Sequence, residues 1–131
     1  NYWKGAFHLV AGKEMGNSKV SKGKFGEEIA RRFLQSLGYE ILTSNFRTKI
    51  GEIDIIAKDK GDFVFVEVKM REDVKEWGIP AEAVTTRKRE KMKDVALLYL
   101  QKVGIKEVGM RFEVVEVLPK LGKARLIRDI F

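Results

Sequence analysis

Residues 51–71 constrain the fold of this chain more than any other stretch of its sequence. They are GEIDIIAKDKGDFVFVEVKMR, in which two strongly apolar runs flank a turn-forming DKGD segment. Both runs are rich in β-branched and aromatic residues, which predicts two antiparallel strands joined by a tight hairpin. Acidic residues lie inside both runs, and the second ends in Glu67, Val68 and Lys69. Because charges are rarely buried in a strand without a partner or a metal ion, these positions are candidates for a functional site.

The second strand of the hairpin is expected to be central in its sheet. Alternation places three valines and Met70 on one face, and Phe63, Phe65, Glu67 and Lys69 on the other. Both faces are therefore apolar until the strand ends, which is typical of a strand covered on both sides. The charged residues appear only where the strand leaves the core.

Alternation in the first strand places Ile53 and Ile55 on one face and Asp54 on the other. Asp54 then lies close to Glu67 if the acidic faces of the two strands coincide. Adjacent carboxylates raise each other's pKa unless a cation lies between them, and oxygen ligands favour Mg²⁺ or Mn²⁺. Lys69 would orient an attacking water or stabilise charge on a phosphate oxygen. The residues leave a second interpretation open, in which Glu67 and Lys69 form a structural ion pair.

The rest of the chain adds two helices and three strands. Apolar spacing and turn residues place helices at 26–38 and 80–104, and strands at 39–47, 110–119 and 123–131. The last strand is expected to lie at an edge. The order is helix, three strands, helix, strand and strand, which predicts an α/β fold with a mixed central sheet flanked by helices.

One acid of the first predicted helix is a further candidate. Ala30, Leu34 and Leu37 define the buried face of this helix, and one turn earlier Glu27 leans toward the core. Glu27 either reaches the same metal as the strand acids or is an ordinary first-turn acid favoured by the helix dipole.

Composition excludes several kinds of site. The 131 residues include no cysteine and one histidine, His8, so disulfides, thiolate metal sites, histidine-rich zinc sites and a cysteine nucleophile are excluded. A metal-bound water, whose pKa is lowered, would replace the missing histidine base. The sequence predicts one domain at residues 25–131, with residues 1–24 as an N-terminal extension.

The net charge of +7 favours a polyanionic partner such as nucleic acid, although a lysine-rich soluble surface explains it as well. No run is long enough to span a bilayer, and no signal peptide is evident. We expect a cytoplasmic protein with no membrane partner.

The chain resembles a known family in the residues already discussed. The motifs GEIDIIA and VFVEVKMR, preceded by GEEIARRFLQSLGYEIL and NFR, are similar to those of the YraN family of bacterial proteins. The resemblance continues through AVTTRKREKMKDVALLYL and RFEVVEV to the final IF. That family is similar to the restriction-endonuclease-like superfamily, whose core motif is written PD-(D/E)XK, and to its Holliday-junction resolvases. Ile53 stands where the motif name has proline.

The resemblance implies a restriction-endonuclease-like core and a role for each acidic residue. Asp54, Glu67 and Glu27 would be metal ligands for Mg²⁺ or Mn²⁺ as well as catalytic residues, and Lys69 would be the catalytic lysine. The implied activity is a divalent-metal-dependent DNA endonuclease, with branched DNA as a substrate. A symmetric junction needs paired cuts, so a homodimer is expected from the resemblance.

Basic residues near the acidic strands are candidates for DNA contacts. Arg47 and Lys49 precede the first acidic strand, and Arg71 follows Lys69. The resemblance adds Lys88. Such contacts position the phosphate backbone and do not read base sequence. Two alternatives remain: a non-catalytic nucleic-acid-binding module in DNA repair or recombination, and a protein-interaction domain kept soluble by its charge.

Overall fold

In the described part of the chain, the fold is a six-stranded mixed sheet between two α-helices. The computed structural model describes residues 8–9, 19–73, 75 and 85–128. In order, the elements are β1 (His8–Leu9), α1 (Lys19–Ser36), β2 (Glu40–Thr48), β3 (Gly51–Asp59), β4 (Asp62–Met70), α2 (Thr86–Val103), β5 (Met110–Leu118) and β6 (Lys123–Ile127). The strand order is β1-β6-β5-β4-β3-β2, and only β4 and β5 are parallel. This is the predicted α/β class, with a restriction-endonuclease-like core.

The predicted hairpin is present, and its turn explains the DKGD segment. Strands β3 and β4 are antiparallel, and their ladder runs from Asp59 opposite Asp62 to Ile55 opposite Val66. Lys60 and Gly61 form a two-residue loop with φ angles of 53° and 87°. Positive φ at both central residues is the geometry that matches the twist of a hairpin, and glycine adopts it without strain.

Each helix covers one face of the sheet. One apolar layer joins α1 to alternate residues of β3, β4, β5 and β6, including Ile55, Val64 and Val66. The other layer joins α2 to the opposite faces, including Phe63 and Phe65. Strand β4 is therefore central and buried on both sides, as its two apolar faces predict.

Strand β3 departs from regular alternation at Ile53. Ile53 packs in the α2 layer although Ile55 packs in the α1 layer, so the prediction that they share a face is wrong. On the neighbouring strand, Asn45 has a φ of 55°, and the β2–β3 pairing passes from Ser44 directly to Phe46. A local distortion of this kind re-aims a side chain. Here the re-aimed residue is Ile53, whereas Asp54 stays on the face opposite Ile55, together with Glu67.

The ends of the predicted elements differ in several places. Helix α1 begins at Lys19, and β1 pairs with β6, so parts of the predicted extension join the fold. Leu37 follows the helix and is 39% exposed, contrary to the prediction that it is buried. The last strand, β6, is not an edge strand along its whole length, because β1 pairs with its first two residues, Lys123 and Ala124.

Helix α2 begins at Thr86 because Thr85 caps it. Thr85 has extended backbone angles, and its side-chain oxygen accepts a hydrogen bond from the backbone N–H of Lys88. The predicted start near Pro80 is therefore too early for this helix, and residues 80–84 lie outside the described part of the chain. The predicted end is confirmed, since Gly104 caps the helix with a φ of 77°.

The Thr85 cap gives a first prediction. Thr85→Ala is expected to lower the free energy of unfolding by about 1 kcal/mol, because a backbone donor of the first turn loses its acceptor. Thr85→Ser keeps the oxygen and is expected to remain within about 0.5 kcal/mol of the native chain. Urea unfolding of the three proteins measures both values, and equal losses in Ala and Ser would contradict the capping role.

Candidate active site

Asp54 and Glu67 meet at the end of the β3–β4 ladder. They are the next residues after its last pair, Ile55 and Val66. The Asp54 Oδ2 atom accepts a hydrogen bond from the backbone N–H of Val68 at 2.8 Å. Asp54 and Glu67 both line an open cleft between the sheet and α2, together with Gly51, Glu52, Lys88, Lys91, Met92 and Val95. The structure therefore brings together the two acids that the hairpin predicted.

Asp54 has an unusual electrostatic environment. Partial burial, together with the charges of Glu67, Glu52 and Glu27, raises its pKa to about 6, against the lowering effect of the Val68 hydrogen bond. Burial and like charges both disfavour the ionised form. A half-buried carboxylate beside other acids is a favourable place for a cation.

Two lysines contact the same oxygen of Glu67. Lys88 Nζ lies 2.5 Å from Glu67 Oε1, and Lys69 Nζ lies 3.9 Å from it. Burial lowers the pKa of Lys69, and the neighbouring Lys88 ammonium lowers it further. Burial opposes the charge on Lys88 too, but the hydrogen bonds to Glu67 and Lys69 and the charges of Glu67 and Asp54 together outweigh it and raise the pKa of Lys88. Lys88, predicted as a DNA contact, therefore lies inside the site.

Glu27 approaches from α1 but has partners of its own. Its Oε1 atom accepts a hydrogen bond from Asn45 Nδ2 at 3.0 Å and lies 3.8 Å from Arg31 Nη1. Its charge contributes to the raised pKa of Asp54, so it faces the same region. Its role as a metal ligand stays a prediction.

The donor set suits a magnesium-like ion held by few protein ligands. Within residues 8–9, 19–73, 75 and 85–128, no three His, Cys, Asp or Glu side chains are grouped closely enough to hold a metal ion. Mg²⁺ usually keeps several waters and binds through one or two carboxylates. Asp54 and Glu67 fit that pattern, since both line the cleft and the half-buried Asp54 has a raised pKa.

A polar row continues across the same face of the sheet. Lys69 lies opposite Glu116 on β5, and Glu116 lies opposite Arg125 on β6. Glu116 is 1% exposed and forms ion pairs with Arg125 and with Arg71, whose Nε atom lies 3.0 Å from Glu116 Oε2. The predicted DNA contact Arg71 is thus fixed beside Lys69 by a buried acid that sequence reasoning missed.

The other two predicted DNA contacts lie at the rim. Arg47 is 76% exposed and pairs with Glu52, which lines the cleft. Lys49 is exposed in the turn between β2 and β3. Both are close in sequence to the acidic strand, but the structure does not join them to Asp54 and Glu67.

A second buried polar cluster was also missed by sequence reasoning. Glu113 on β5 is 1% exposed, accepts a hydrogen bond from Tyr39, and pairs with Arg111 and Arg128. Arg111 also pairs with Asp59 at the hairpin turn, at the opposite end of β4 from Lys69. The acids within RFEVVEV were the available indication, as in the hairpin itself. This cluster neutralises its own charges and stabilises the far end of the sheet.

The raised pKa of Asp54 predicts a stabilising substitution. Ionised Asp54 costs stability: that cost is absent below the unfolded-state pKa of 3.8 and is complete once the pH has risen through about 6. Without divalent metal, Asp54→Asn is expected to raise the free energy of unfolding at pH 7.5 by about 1–3 kcal/mol. The gain should disappear below pH 4. Denaturant unfolding of both proteins at pH 7.5 and below pH 4 tests this prediction. If Asp54→Asn is less stable than the native chain at pH 7.5, the ionised Asp54 side chain stabilises the fold, which contradicts the prediction.

The fold and the paired acids with Lys69 define a restriction-endonuclease-like chain. Comparison with known proteins then gives the family. The model of a family described as "Uncharacterised protein family UPF0102" matches residues 26–117 of this chain. The chain belongs to this family, which is the YraN family that its motifs resemble. No helix within the described residues is long and apolar enough to cross a membrane.

Several relatives match over most of their length. A UPF0102 protein of Caldicellulosiruptor saccharolyticus is 49% identical over 105 residues, which are 80% of this chain and 82% of the relative. One of Clostridioides difficile is 48% identical over 96 residues, or 73% and 83%. One of Desulfosudis oleivorans is 43% identical over 115 residues, or 88% and 93%. These names state no activity.

Proposed function

We propose that this protein is a Mg²⁺- or Mn²⁺-dependent DNA endonuclease that hydrolyses phosphodiester bonds, with branched DNA as its substrate class. The observation that carries the proposal is the half-buried Asp54, whose pKa is raised, beside Glu67, with Lys69 two residues further along β4. Two acids in a cleft next to a lysine suit metal-assisted attack on a phosphate ester. The basic composition favours a polyanionic substrate.

Each residue has a distinct part in this mechanism. Asp54 and Glu67 would hold the metal, which when bound polarises the phosphodiester and supplies a nucleophilic water at neutral pH. Lys69, with its lowered pKa, would orient the attacking water or stabilise negative charge on the phosphate. Arg71, fixed by Glu116, would hold the DNA backbone beside the reacting group. Glu27 would serve as a third ligand or orient a metal-bound water.

A cleavage assay tests the proposal. Purified protein would be incubated with Mn²⁺ or Mg²⁺ and end-labelled four-way junction, flap, duplex and single-stranded DNA. We expect metal-dependent cleavage of the branched forms by the native chain and none by Asp54→Asn. Equal cleavage by both proteins would indicate a contaminating nuclease, and no cleavage of any form with either metal would contradict the activity.

A second candidate function is a non-catalytic nucleic-acid-binding module in DNA repair or recombination. It is favoured by the Lys88 contact, which already neutralises Glu67, and by the absence of a three-acid metal group within the described residues. This function predicts salt-sensitive DNA binding that EDTA does not change. Binding that requires Mg²⁺ would argue against it.

A further inference from the structure

The Lys88–Glu67 contact joins the helix to the candidate metal site. Lys88 lies in the first turn of α2, and its Nζ atom contacts the Glu67 oxygen that also faces Lys69. Glu67 is 13% exposed, so it has little access to solvent cations while Lys88 is in place. An ammonium and a divalent ion both bind through carboxylate lone pairs, and two cations at one oxygen repel each other. A divalent ion at Glu67 Oε1 therefore competes with the Lys88 contact.

Lysine is suited to an exchange of partners. Its charge sits on a flexible four-carbon stem, so the ammonium moves several ångströms by side-chain rotation alone. The Lys88 side chain is 38% exposed and faces the cleft that contains Asp54. A phosphate above this cleft is a natural second partner for the ammonium. The helix backbone, capped by Thr85, does not have to move.

We propose that Lys88 occupies the cation position at Glu67 until a divalent metal binds, and that the metal transfers Lys88 from Glu67 to a DNA phosphate. This inference rests on the proposed metal-dependent function and adds a coupling between its two ligands. Metal binding releases a phosphate-binding cation, and phosphate binding removes a competitor of the metal. Because coupling between two ligands is reciprocal, metal strengthens DNA binding and DNA strengthens metal binding by the same factor.

The interpretation to be excluded is a permanent ion pair that only anchors α2 to β4. In that case Glu67 never accepts a metal ion, and removal of Lys88 affects folding stability alone. The two interpretations differ in the metal affinity of a variant that lacks the Lys88 charge. They also differ in whether the DNA contribution of Lys88 depends on metal.

The experiment compares Lys88→Met with the native chain and with Lys91→Met. Lys91 is an exposed lysine that lines the same cleft. Both variants replace one lysine by methionine, so they have the same net charge. Mn²⁺ affinity is measured by calorimetry without DNA. Binding of a fluorescein-labelled four-way junction is measured by anisotropy with EDTA and with Mn²⁺, and a denaturing gel verifies that the DNA is intact. Thermal unfolding verifies that all three proteins are folded, and Lys88→Gln provides a second substitution.

We expect Lys88→Met to bind Mn²⁺ about tenfold more tightly than the native chain, with a smaller change in Lys91→Met. With EDTA, Lys88→Met and Lys91→Met should bind the junction with affinities within about twofold of one another. With Mn²⁺, Lys88→Met should bind the junction about fivefold more weakly than Lys91→Met. Mn²⁺ binding that Lys88→Met leaves unchanged would overturn the exchange and leave the metal site intact. Failure of all the proteins to bind Mn²⁺, with and without the junction, would refute the proposed function itself.

Discussion

Under the proposed endonuclease mechanism, Lys69→Ala is expected to lower the rate of DNA cleavage by about 10²–10³-fold while the protein stays folded, since it would remove one cationic group from the reacting phosphate. The Lys69 side chain is 29% exposed and ends 3.9 Å from Glu67, so its loss leaves no large cavity. Single-turnover cleavage of a four-way junction, with protein in excess of DNA, measures the chemical step. DNA affinity should change much less than the rate.

The matched control for this prediction is Lys106→Ala. Lys106 is an exposed residue of the segment before β5, at the end of the sheet opposite Lys69. It carries the same charge, so the two variants share a net charge and a general loss of DNA attraction. Equal effects of the two substitutions on the cleavage rate would contradict a catalytic role for Lys69.

Glu116→Ala is expected to lower the free energy of unfolding by about 3–5 kcal/mol, because it removes the buried carboxylate between Arg71 and Arg125. Arg125 is only 6% exposed and would lose the charge that neutralises it. Denaturant unfolding at pH 7 measures the loss. A change below about 1 kcal/mol would show that the buried pair is not important for folding.

Two further variants separate charge from shape at this position. Glu116→Gln keeps the volume and one acceptor oxygen, and should cost less than Glu116→Ala. Replacing Glu116 and Arg125 together by Met and Leu removes both charges, and is expected to recover much of the stability lost in Glu116→Ala. If the stability lost in this double variant equals the sum of the losses in Glu116→Met alone and Arg125→Leu alone, the two residues act independently.

Local chemistry made the centre of the fold predictable. The alternating apolar residues around DKGD predicted the hairpin, and the two apolar faces of β4 predicted its central place. The register that places Asp54 and Glu67 at one end of the ladder follows from the two-residue loop. These features depend on neighbours in sequence and on the period of a strand.

The remaining features depend on contacts between distant parts of the chain. The departure of Ile53 from alternation lies beside Asn45 of the neighbouring strand, and the sequence pattern gave no sign of it. Lys88 and Glu67 are 21 positions apart in the sequence. Their contact therefore follows from the packing of α2 on the sheet and not from any local sequence pattern. Glu116 was visible as an acid in an apolar strand, but its arginine partners became evident only with the sheet order.

Titration calorimetry of Mn²⁺ into the native chain and into Asp54→Asn, each with and without a four-way junction, tests the central claim most directly. We expect one Mn²⁺ site that involves Asp54 and Glu67. The native chain should bind Mn²⁺, more tightly with the junction present, and Asp54→Asn should lose this binding while remaining folded. Equal Mn²⁺ binding by the two proteins, or none by either under both conditions, would contradict the assignment of Asp54 and Glu67 as a metal site.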